Sequence, residues 1–385
     1  MINIAVFDDT SVPNQPSLFG PQAVAGLDFR TATWIVVGAG QVLTVGAAGI
    51  ASAGSGTNVI AADLTAGADQ EWNAGTDNTI QIGGTFDAGG QTVTKTGPGA
   101  LTIAGPQNHA AGSMLVACAG AVNLNTDAGD TTHFNLSVRA TNSAAVTFAA
   151  TQHLVALDLQ GASTSVLTSG GTKTIVTKSL SMVGGATPTA KLDLTDNNLV
   201  VDYEPGASPW ADVQALVRAG RGVKDGSGQY HWDGMGITSS AASAEFTLKA
   251  LGVLDDSFTF EGTRTPVTNL EGVPVAPTSV LVKYTYWGDA DLNGKVDFND
   301  FDVLQYYYFH PQPAEKIGWQ TGDFNYDGKV DFNDFDLLQY AYFHPGGVLG
   351  AAVGLPSSLE PIPEPATLAL LVAGGLLALA RRRRV

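Results

Sequence analysis

The chain has few of the residues that would place it in several common classes. Its 385 residues include one cysteine, Cys118, which excludes an intrachain disulfide. Only 14% of the residues are charged, and 36 acidic residues outnumber 19 basic ones. Nucleic-acid affinity rests on basic side chains that neutralise phosphates, so this balance argues against a nucleic-acid partner.

The amino terminus lacks the basic start and apolar run of a secretory signal. The carboxyl terminus, described below, nevertheless indicates export. We therefore expect that a further segment precedes residue 1 in the gene product.

Residues 1–203 also lack any sustained helical period. Short apolar or alternating runs recur instead about every ten residues, separated by Gly, Asn, Asp and Thr. The runs are 33–37, 41–45, 79–82, 100–103, 121–124, 133–138, 145–148, 153–159, 173–177 and 198–203. Such spacing with glycine-rich corners favours a β-solenoid, in which each coil buries its inward residues by stacking on its neighbours.

One part of this region, residues 84–124, carries a more specific pattern. A lysine, glycines and alternating apolar residues stand in a fixed frame at Lys95, Gly97, Gly99, Leu101, Ile103 and Gly105. The frame resembles the autotransporter-associated β-strand repeat. That resemblance implies a right-handed parallel β-helix on an exported protein, and it implies no activity.

Catalytic residues are not apparent in the first 200 positions. The six basic residues there are scattered, whereas polysaccharide lyases and glycoside hydrolases need clustered carboxylates with a base. His109, His133 and His153 have no metal-like spacing. We predict that the protein is not an enzyme, with a polysaccharide lyase or glycoside hydrolase as the alternative.

Residues 204–287 differ in composition and are expected to form a small α/β region that caps the solenoid. Ser208 and Pro209 are typical of a helix start, and Gly220 is typical of its end. A second, shorter helix is expected within 234–252. Residues 278–286 alternate as a strand and lead into the next region without a linker, so the cap and that region should be fixed together.

Residues 288–345 contain a tandem repeat of 24 positions, offset by 34 residues, in which 18 positions are identical. Each copy places oxygen-bearing side chains at loop positions 1, 3, 5, 9 and 12 and a glycine, Gly294 or Gly328, at position 6. Six to eight oxygens at about 2.3–2.6 Å are what Ca²⁺ requires, with one backbone carbonyl from position 7. The predicted metal ligands for two calcium ions are Asp289, Asp291, Asn293, Lys295, Asp297 and Asp300 in the first loop and Asp323, Asn325, Asp327, Lys329, Asp331 and Asp334 in the second.

Position 12 is Asp where the EF-hand pattern has Glu, and each loop precedes a single helix. These features resemble the type I dockerin, a calcium-dependent module that binds cohesin domains. Loop positions 10 and 11, which carry recognition in dockerins, are Phe298 and Asn299 and then Phe332 and Asn333. The phenylalanines are interpreted either as an intramolecular clamp or as a docking patch for a partner.

After a linker-like stretch at 346–362, residues 363–385 form a three-part tail. It consists of Pro363, Glu364 and Pro365, an apolar segment at 366–380, and Arg381, Arg382, Arg383 and Arg384. This order resembles the PEP-CTERM sorting signal, which implies processing by exosortase-type machinery. We expect segment 366–380 to insert transiently in the inner membrane before cleavage, with the arginines on the cytoplasmic side.

Together these patterns predict a mainly β, exported protein of the cell surface or extracellular matrix, with a structural or adhesive role. A possible cohesin or other envelope protein and a polysaccharide are the expected partners. The alternative is a component of a polysaccharide-degrading assembly that is recruited through dockerin–cohesin contact. A flat Thr, Ser and Asn surface on the solenoid would favour the first reading, and a groove with converging carboxylates would favour the second.

Overall fold

A computed structural model describes residues 3–9, 15–226, 228–258 and 266–344. Residues 3–344 with these gaps belong to one compact unit; the second unit, 345–385, lies outside the described residues. The strands are, in chain order, Ile4–Phe7 (β1), Gln22–Phe29 (β2), Ile35–Val36 (β3), Val42–Ser52 (β4), Gly56–Ile60 (β5), Asp63–Ala66 (β6), Gln70–Ala74 (β7), Asn78–Ile82 (β8), Phe86–Asp87 (β9), Thr92–Thr96 (β10), Ala100–Ile103 (β11), Ser113–Ala117 (β12), Ala121–Leu124 (β13), Leu136–Ala140 (β14), Ala145–Phe148 (β15), Gln152–Leu159 (β16), Thr164–Leu167 (β17), Thr174–Met182 (β18), Lys191–Asp193 (β19), Asn198–Asp202 (β20), Gly236–Thr238 (β21), Lys249–Asp255 (β22), Asn269–Leu270 (β23), Val273–Pro274 (β24) and Ser279–Tyr286 (β25). The α-helices are Trp210–Gly220 (α1), Ser240–Ala244 (α2), Phe298–Phe309 (α3) and Phe332–Phe343 (α4), with 3₁₀ turns at Ala314–Lys316 and Trp319–Thr321.

The strands form a parallel β-solenoid, as the sequence predicts. A 14-stranded sheet contains the path β1-β2-β4-β7-β10-β12-β14-β16-β18-β20, and a 9-stranded sheet runs from β3 to β21 with one strand from each of nine successive coils. All ten predicted runs overlap strands of these two sheets.

Stacking of identical positions builds the core. Leu101 of β11 pairs with Val122 of β13, and Ile103 pairs with Leu124. These residues are fully buried while their neighbours along the strand are half-buried, so the two-residue period keeps apolar side chains inside. A slip of one residue would turn the core side chains outward to solvent. The cost of exposing them holds the coils in register.

The lysine of the repeat frame has a structural role at a coil corner. Lys95 is fully buried, and its Nζ donates hydrogen bonds to the carbonyls of Thr96, Gly97, Gly99 and Ala119 at 2.7–3.2 Å. Burial lowers the pKa of Lys95 to about 8. The three N–H donors of one ammonium group are therefore shared among four carbonyls from two neighbouring coils.

The Lys95→Met substitution is expected to lower the free energy of unfolding by about 2–4 kcal/mol, because buried carbonyls lose their donor. Lys173→Met is the matched control. The Nζ of Lys173 donates to backbone carbonyls as well, but to two of them and nearer the surface. Urea midpoints of both variants measure the difference. Equal midpoints for the two variants would contradict this role.

The last coils are closed by a mixture of strands and helices. The second, shorter helix expected within 234–252 is present as α2, and the same stretch also contains β21 and the start of β22, which were not predicted. β21 continues the parallel 9-stranded sheet, whereas β25 pairs antiparallel with β20 and with β22. The open edge of β20 is thus covered, and α1 packs against β21 and β22.

Candidate metal centre

The two tandem repeats form two loops, each followed by a 12-residue helix, α3 or α4. Each helix begins with a capping box. Asp297 Oδ1 accepts a hydrogen bond from the Asn299 N–H at 2.8 Å, while Asp300 Oδ2 accepts one from the Asp297 N–H at 2.8 Å. Asp331 and Asp334 repeat this arrangement, so the residues at loop positions 9 and 12 also define where each helix starts.

The first loop brings its predicted acidic ligands together. Carboxylate oxygens of Asp289, Asp291 and Asp300 lie within 4.8 Å of one another. Asp289 is fully buried, and its two oxygens accept hydrogen bonds from the N–H groups of Asn293 at 3.0 Å and Gly294 at 2.9 Å. The backbone is thereby wrapped around the position-1 carboxylate.

The second loop repeats the main hydrogen bonds of this pattern. Asp323 accepts hydrogen bonds from the N–H groups of Asp327 and Gly328, both at 3.0 Å, and Asp334 accepts one from the Asn325 N–H at 3.1 Å. Gly294 and Gly328 both have φ of +86°, a left-handed conformation that favours glycine. Two separate stretches of sequence therefore adopt one geometry.

The twelve predicted ligands differ in exposure. Five are buried: Asp289, Asp300, Asp323, Asn325 and Asp334. Asp291, Asp297, Asp327 and Asp331 are half-buried, and Asn293, Lys295 and Lys329 are exposed. The buried members are those at positions 1 and 12 of both loops, together with position 3 of the second.

Burial of these acids changes their titration. It raises the pKa of Asp300 to about 7, of Asp323 to about 6 and of Asp334 to about 8. Burial, followed by the charge of Asp300, raises the pKa of Asp289 well above its usual value. Crowded, buried oxygen ligands fit a hard divalent cation, whose charge would offset their mutual repulsion.

A pH prediction follows from these raised pKa values. The pKa of these carboxyls in the folded state lies above their unfolded value of about 4. Each therefore contributes its full stability when the pH is below about 4, and this contribution is lost as the pH rises through the folded-state pKa. Without calcium, the melting temperature of the loop–helix pair should therefore fall between about pH 5 and pH 8. Calcium affinity should rise over the same range, because binding requires the deprotonated carboxylates.

Scanning calorimetry in chelator across this pH range tests the first part, and calcium titrations at the same pH values test the second. The Asp300→Asn and Asp334→Asn variants should show a shallower fall, since each lacks one titrating group. A melting temperature that rises with pH in chelator would contradict the prediction.

The cap holds both loops through contacts that sequence reasoning missed. Tyr326 Oη of the second loop donates to the Leu251 carbonyl of β22 at 2.6 Å, while Trp319 Nε1, between the two loop–helix units, donates to the Asp289 carbonyl of the first loop at 2.7 Å. Lys283 Nζ donates to the Leu292 carbonyl at 3.0 Å, and Arg221 Nη1 donates to the Asn325 carbonyl. As the absence of a linker predicts, the loop–helix pair is fixed to the cap.

A row of tryptophans forms the centre of this contact. The Trp287 ring lies 5.8 Å from that of Trp232 and 6.1 Å from that of Trp319. A Cβ on Gly252 of β22 would lie 2.7 Å from Trp319 Nε1 and 2.5 Å from Leu292 Cδ2, so glycine is needed for this close approach. These aromatics are far apart in sequence, which explains why no local pattern indicated that they contact one another.

The phenylalanines at loop position 10 contribute little to the contact with the cap. Phe298 is 72% exposed and Phe332 is 69% exposed, and their rings contact Tyr342 and Tyr308 of the opposite helix. An intramolecular clamp made by these side chains against the cap is therefore not supported, and the clamp between the two loop–helix units stays a prediction.

The solenoid histidines are placed separately, His109 and His133 between strands and His153 at the start of β16. His153 Nδ1 lies 2.7 Å from Asp127 Oδ2, and His133 Nδ1 lies 2.8 Å from Asp130 Oδ2. His109 is buried, and its Nε2 lies 3.0 Å from Gln107 Oε1. Each imidazole contacts a local partner. Cys118 is half-buried.

The predicted sorting signal, Pro363 to Pro365 with Arg381 to Arg384, and the predicted transmembrane segment at 366–380 lie outside the described residues. Within the part of the chain that is described, the helices are too short or too polar to cross a membrane.

Comparison with known proteins gives one match. A family model described as the PEP-CTERM protein-sorting motif matches residues 361–384. Searches of curated proteins and of solved structures find no match. The motif indicates an exported protein that is sorted to the cell envelope, and it implies processing by exosortase-type machinery.

Proposed function

We propose that this chain is a non-catalytic component of the cell surface or extracellular matrix whose loop–helix pair binds two calcium ions in a dockerin-like module. The observation that carries the proposal is the duplicated loop geometry. Both loops wrap the backbone around a buried position-1 aspartate and place a second buried aspartate at position 12. Oxygen is the only ligand type offered, as calcium prefers.

The charge of this region supports a cation-binding role. Residues 289–336 contain eleven acidic residues and three lysines, a net charge of 3 − 11 = −8, within a chain of net charge −17. Two Ca²⁺ ions would halve the local imbalance. Cap side chains supply further positive charge, since Lys283 and Arg221 donate to loop carbonyls.

The solenoid surface supports a structural rather than a catalytic role. On the 9-stranded sheet, outward positions in register carry Gln81, Thr102, Asn123 and Thr147. These neutral side chains neither donate nor accept protons readily at pH 7, and Asn123 Nδ2 donates to Thr102 Oγ1 at 3.1 Å. A flat polar ladder of this kind suits contact with a polysaccharide or another envelope protein, which are the partners we propose.

In this proposal the carboxyl-terminal segment 366–380 anchors the chain transiently in the inner membrane. Exosortase-type processing near Pro363 to Pro365 then releases it toward the outer surface. The alternative role in a polysaccharide-degrading assembly rests on the dockerin resemblance and a cohesin partner. Against this alternative, the chain has Phe-Asn at loop positions 10 and 11, where the best-known dockerins have a pair of small hydroxyl residues.

Isothermal titration calorimetry of the full chain tests calcium binding site by site. Asp300→Asn and Asp334→Asn should each reduce the number of bound ions from two to one, because position 12 provides a buried ligand in its loop. Asp302→Asn is the matched control, since Asp302 is exposed on the next turn and should leave both sites intact.

Unchanged stoichiometry in both position-12 variants would contradict the proposed ligand set. Circular dichroism of each variant shows whether helices α3 and α4 remain formed, because Asp300 and Asp334 also cap them.

A further inference from the structure

Helices α3 and α4 present a continuous uncharged surface, here called the aromatic strip. It consists of Phe298, Phe301, Gln305 and Tyr308 of α3 and Phe332, Phe335, Gln339 and Tyr342 of α4. The spacing of three, four and three residues places each set on one helical face.

Ring contacts join the two halves of the aromatic strip. The Phe298 ring lies 6.2 Å from that of Tyr342, and the Phe332 ring lies 5.6 Å from that of Tyr308. Between these pairs, the Phe301 and Phe335 rings are 6.1 Å apart. The strip therefore crosses both helices, and each half repeats the other.

The ends of the aromatic strip are exposed, while Phe301 and Phe335 at its centre are half-buried. Phe298 and Phe332 have most of their surface in solvent, Tyr308 and Tyr342 are exposed, and the neighbouring Phe309 and Phe343 extend the exposed aromatic surface. Single exposed apolar residues are ordinary on protein surfaces, but a contiguous cluster marks a docking surface. The exposed acids Asp302 and Asp336 flank the strip rather than interrupt it.

The chain that follows helix α4 indicates what covers the strip. α4 ends at Phe343, one residue after Tyr342, so the chain leaves the described structure at the edge of the strip. The sorting motif begins at residue 361, and the apolar segment begins at 366. The 21 residues from 345 to 365 can span at most about 75 Å, so the strip stays within reach of any bilayer that holds the segment.

We propose that the aromatic strip docks onto the interface of the phospholipid bilayer into which residues 366–380 insert before processing. Tyrosine and phenylalanine side chains favour the boundary between headgroups and acyl chains. The tether makes this contact intramolecular, so a weak intrinsic affinity is enough while the anchor is in place. This inference goes beyond calcium binding and depends on insertion of the anchor.

Two consequences follow from the chemistry of the strip. The flanking carboxylates repel anionic headgroups, so docking should be stronger on zwitterionic phosphatidylcholine than on bilayers rich in anionic lipid. Cleavage of the tail removes the tether, so the processed chain should bind vesicles at least about 100-fold more weakly. The strip would then hold the folded domain at the membrane until processing frees it.

Bromolipid quenching of tryptophan fluorescence tests the proposal on the full chain in phosphatidylcholine vesicles. The reporter is Phe332→Trp in the strip, and the matched control is Phe19→Trp, which is 97% exposed on the solenoid. Leu376→Trp, within the apolar segment, reports whether the anchor is inserted. After subtraction of the native tryptophan signal, the strip reporter should be quenched at least about twofold more than Phe19→Trp.

Equal quenching of Phe332→Trp and Phe19→Trp, with Leu376→Trp strongly quenched, would overturn the proposal. Absence of quenching at Leu376→Trp would overturn its premise that the segment inserts. If the strip reporter is shielded without lipid and the chain sediments as a dimer, a second copy occupies the strip. If a co-purifying envelope protein, such as a cohesin-like one, shields the strip, that protein and not the bilayer is its partner, and the proposal is likewise overturned. Calcium titration is read separately, so a failure here does not bear on the metal sites.

Discussion

Removal of calcium with a chelator is expected to cause the largest loss of stability in the full chain. At a free calcium concentration of about 1,000 times Kd, each bound ion stabilises the folded state by about 4 kcal/mol, so two ions contribute about 8 kcal/mol. The reason is electrostatic, because each loop keeps acidic groups buried or crowded against one another without the ion. Scanning calorimetry with calcium and with chelator measures the difference.

Hydrogen exchange locates where this loss occurs. Because the loops pack on β22 and β25, chelation should increase exchange in residues 249–255 and 279–286. Strands far along the solenoid, such as β11 at residues 100–103, provide the internal control and should be unaffected. Identical melting and exchange with and without calcium would contradict the account.

Trp319→Ala is expected to be the most damaging single substitution at the boundary between the cap and the loops. The side chain is fully buried, its ring lies 5.2 Å from that of Phe324 and 5.6 Å from that of Tyr326, and its Nε1 donates to the Asp289 carbonyl. Truncating a buried tryptophan typically costs about 3–5 kcal/mol. The first calcium loop should also weaken, since Asp289 loses the contact that holds its backbone.

Trp319→Phe separates packing from hydrogen bonding. It retains most of the ring contacts and loses the Nε1 donor, so the expected cost is about 1–3 kcal/mol. Denaturant midpoints and calcium affinity are measured for both variants. An alanine variant with the midpoint and affinity of the unmodified chain would show that the Trp319 contact does not support the loop.

The solenoid could be predicted because its information is local. Alternation in ALTI and AVNL assigns Leu101, Ile103, Val122 and Leu124 to the inside, and stacking follows from that pattern. Strand β7 was missed because Gln70 and Trp72 are both buried and their side chains hydrogen-bond to each other. A polar residue that is satisfied inside the core gives no signal in an apolar pattern.

The closing strands and the cap contacts could not be predicted for a different reason. β25 pairs with β20 and β22 pairs with β25 across about 25 to 85 residues of sequence, and short apolar runs do not specify such partners. The ligand spacing of the loops was visible because twelve adjacent positions contain it. The exposure of Phe298 and Phe332 could not be predicted from the sequence, because it depends on which face of each loop meets the cap.

Crystals of the full chain grown with calcium, measured for anomalous scattering, provide the most direct test of the central claim. The account predicts two anomalous peaks, one among Asp289, Asp291, Asn293, Asp297 and Asp300 and one among Asp323, Asn325, Asp327, Asp331 and Asp334. Each should have oxygen ligands at about 2.3–2.6 Å, including the carbonyl of Lys295 or Lys329. Loops of unchanged geometry with no peak in saturating calcium would contradict the claim that they are metal sites.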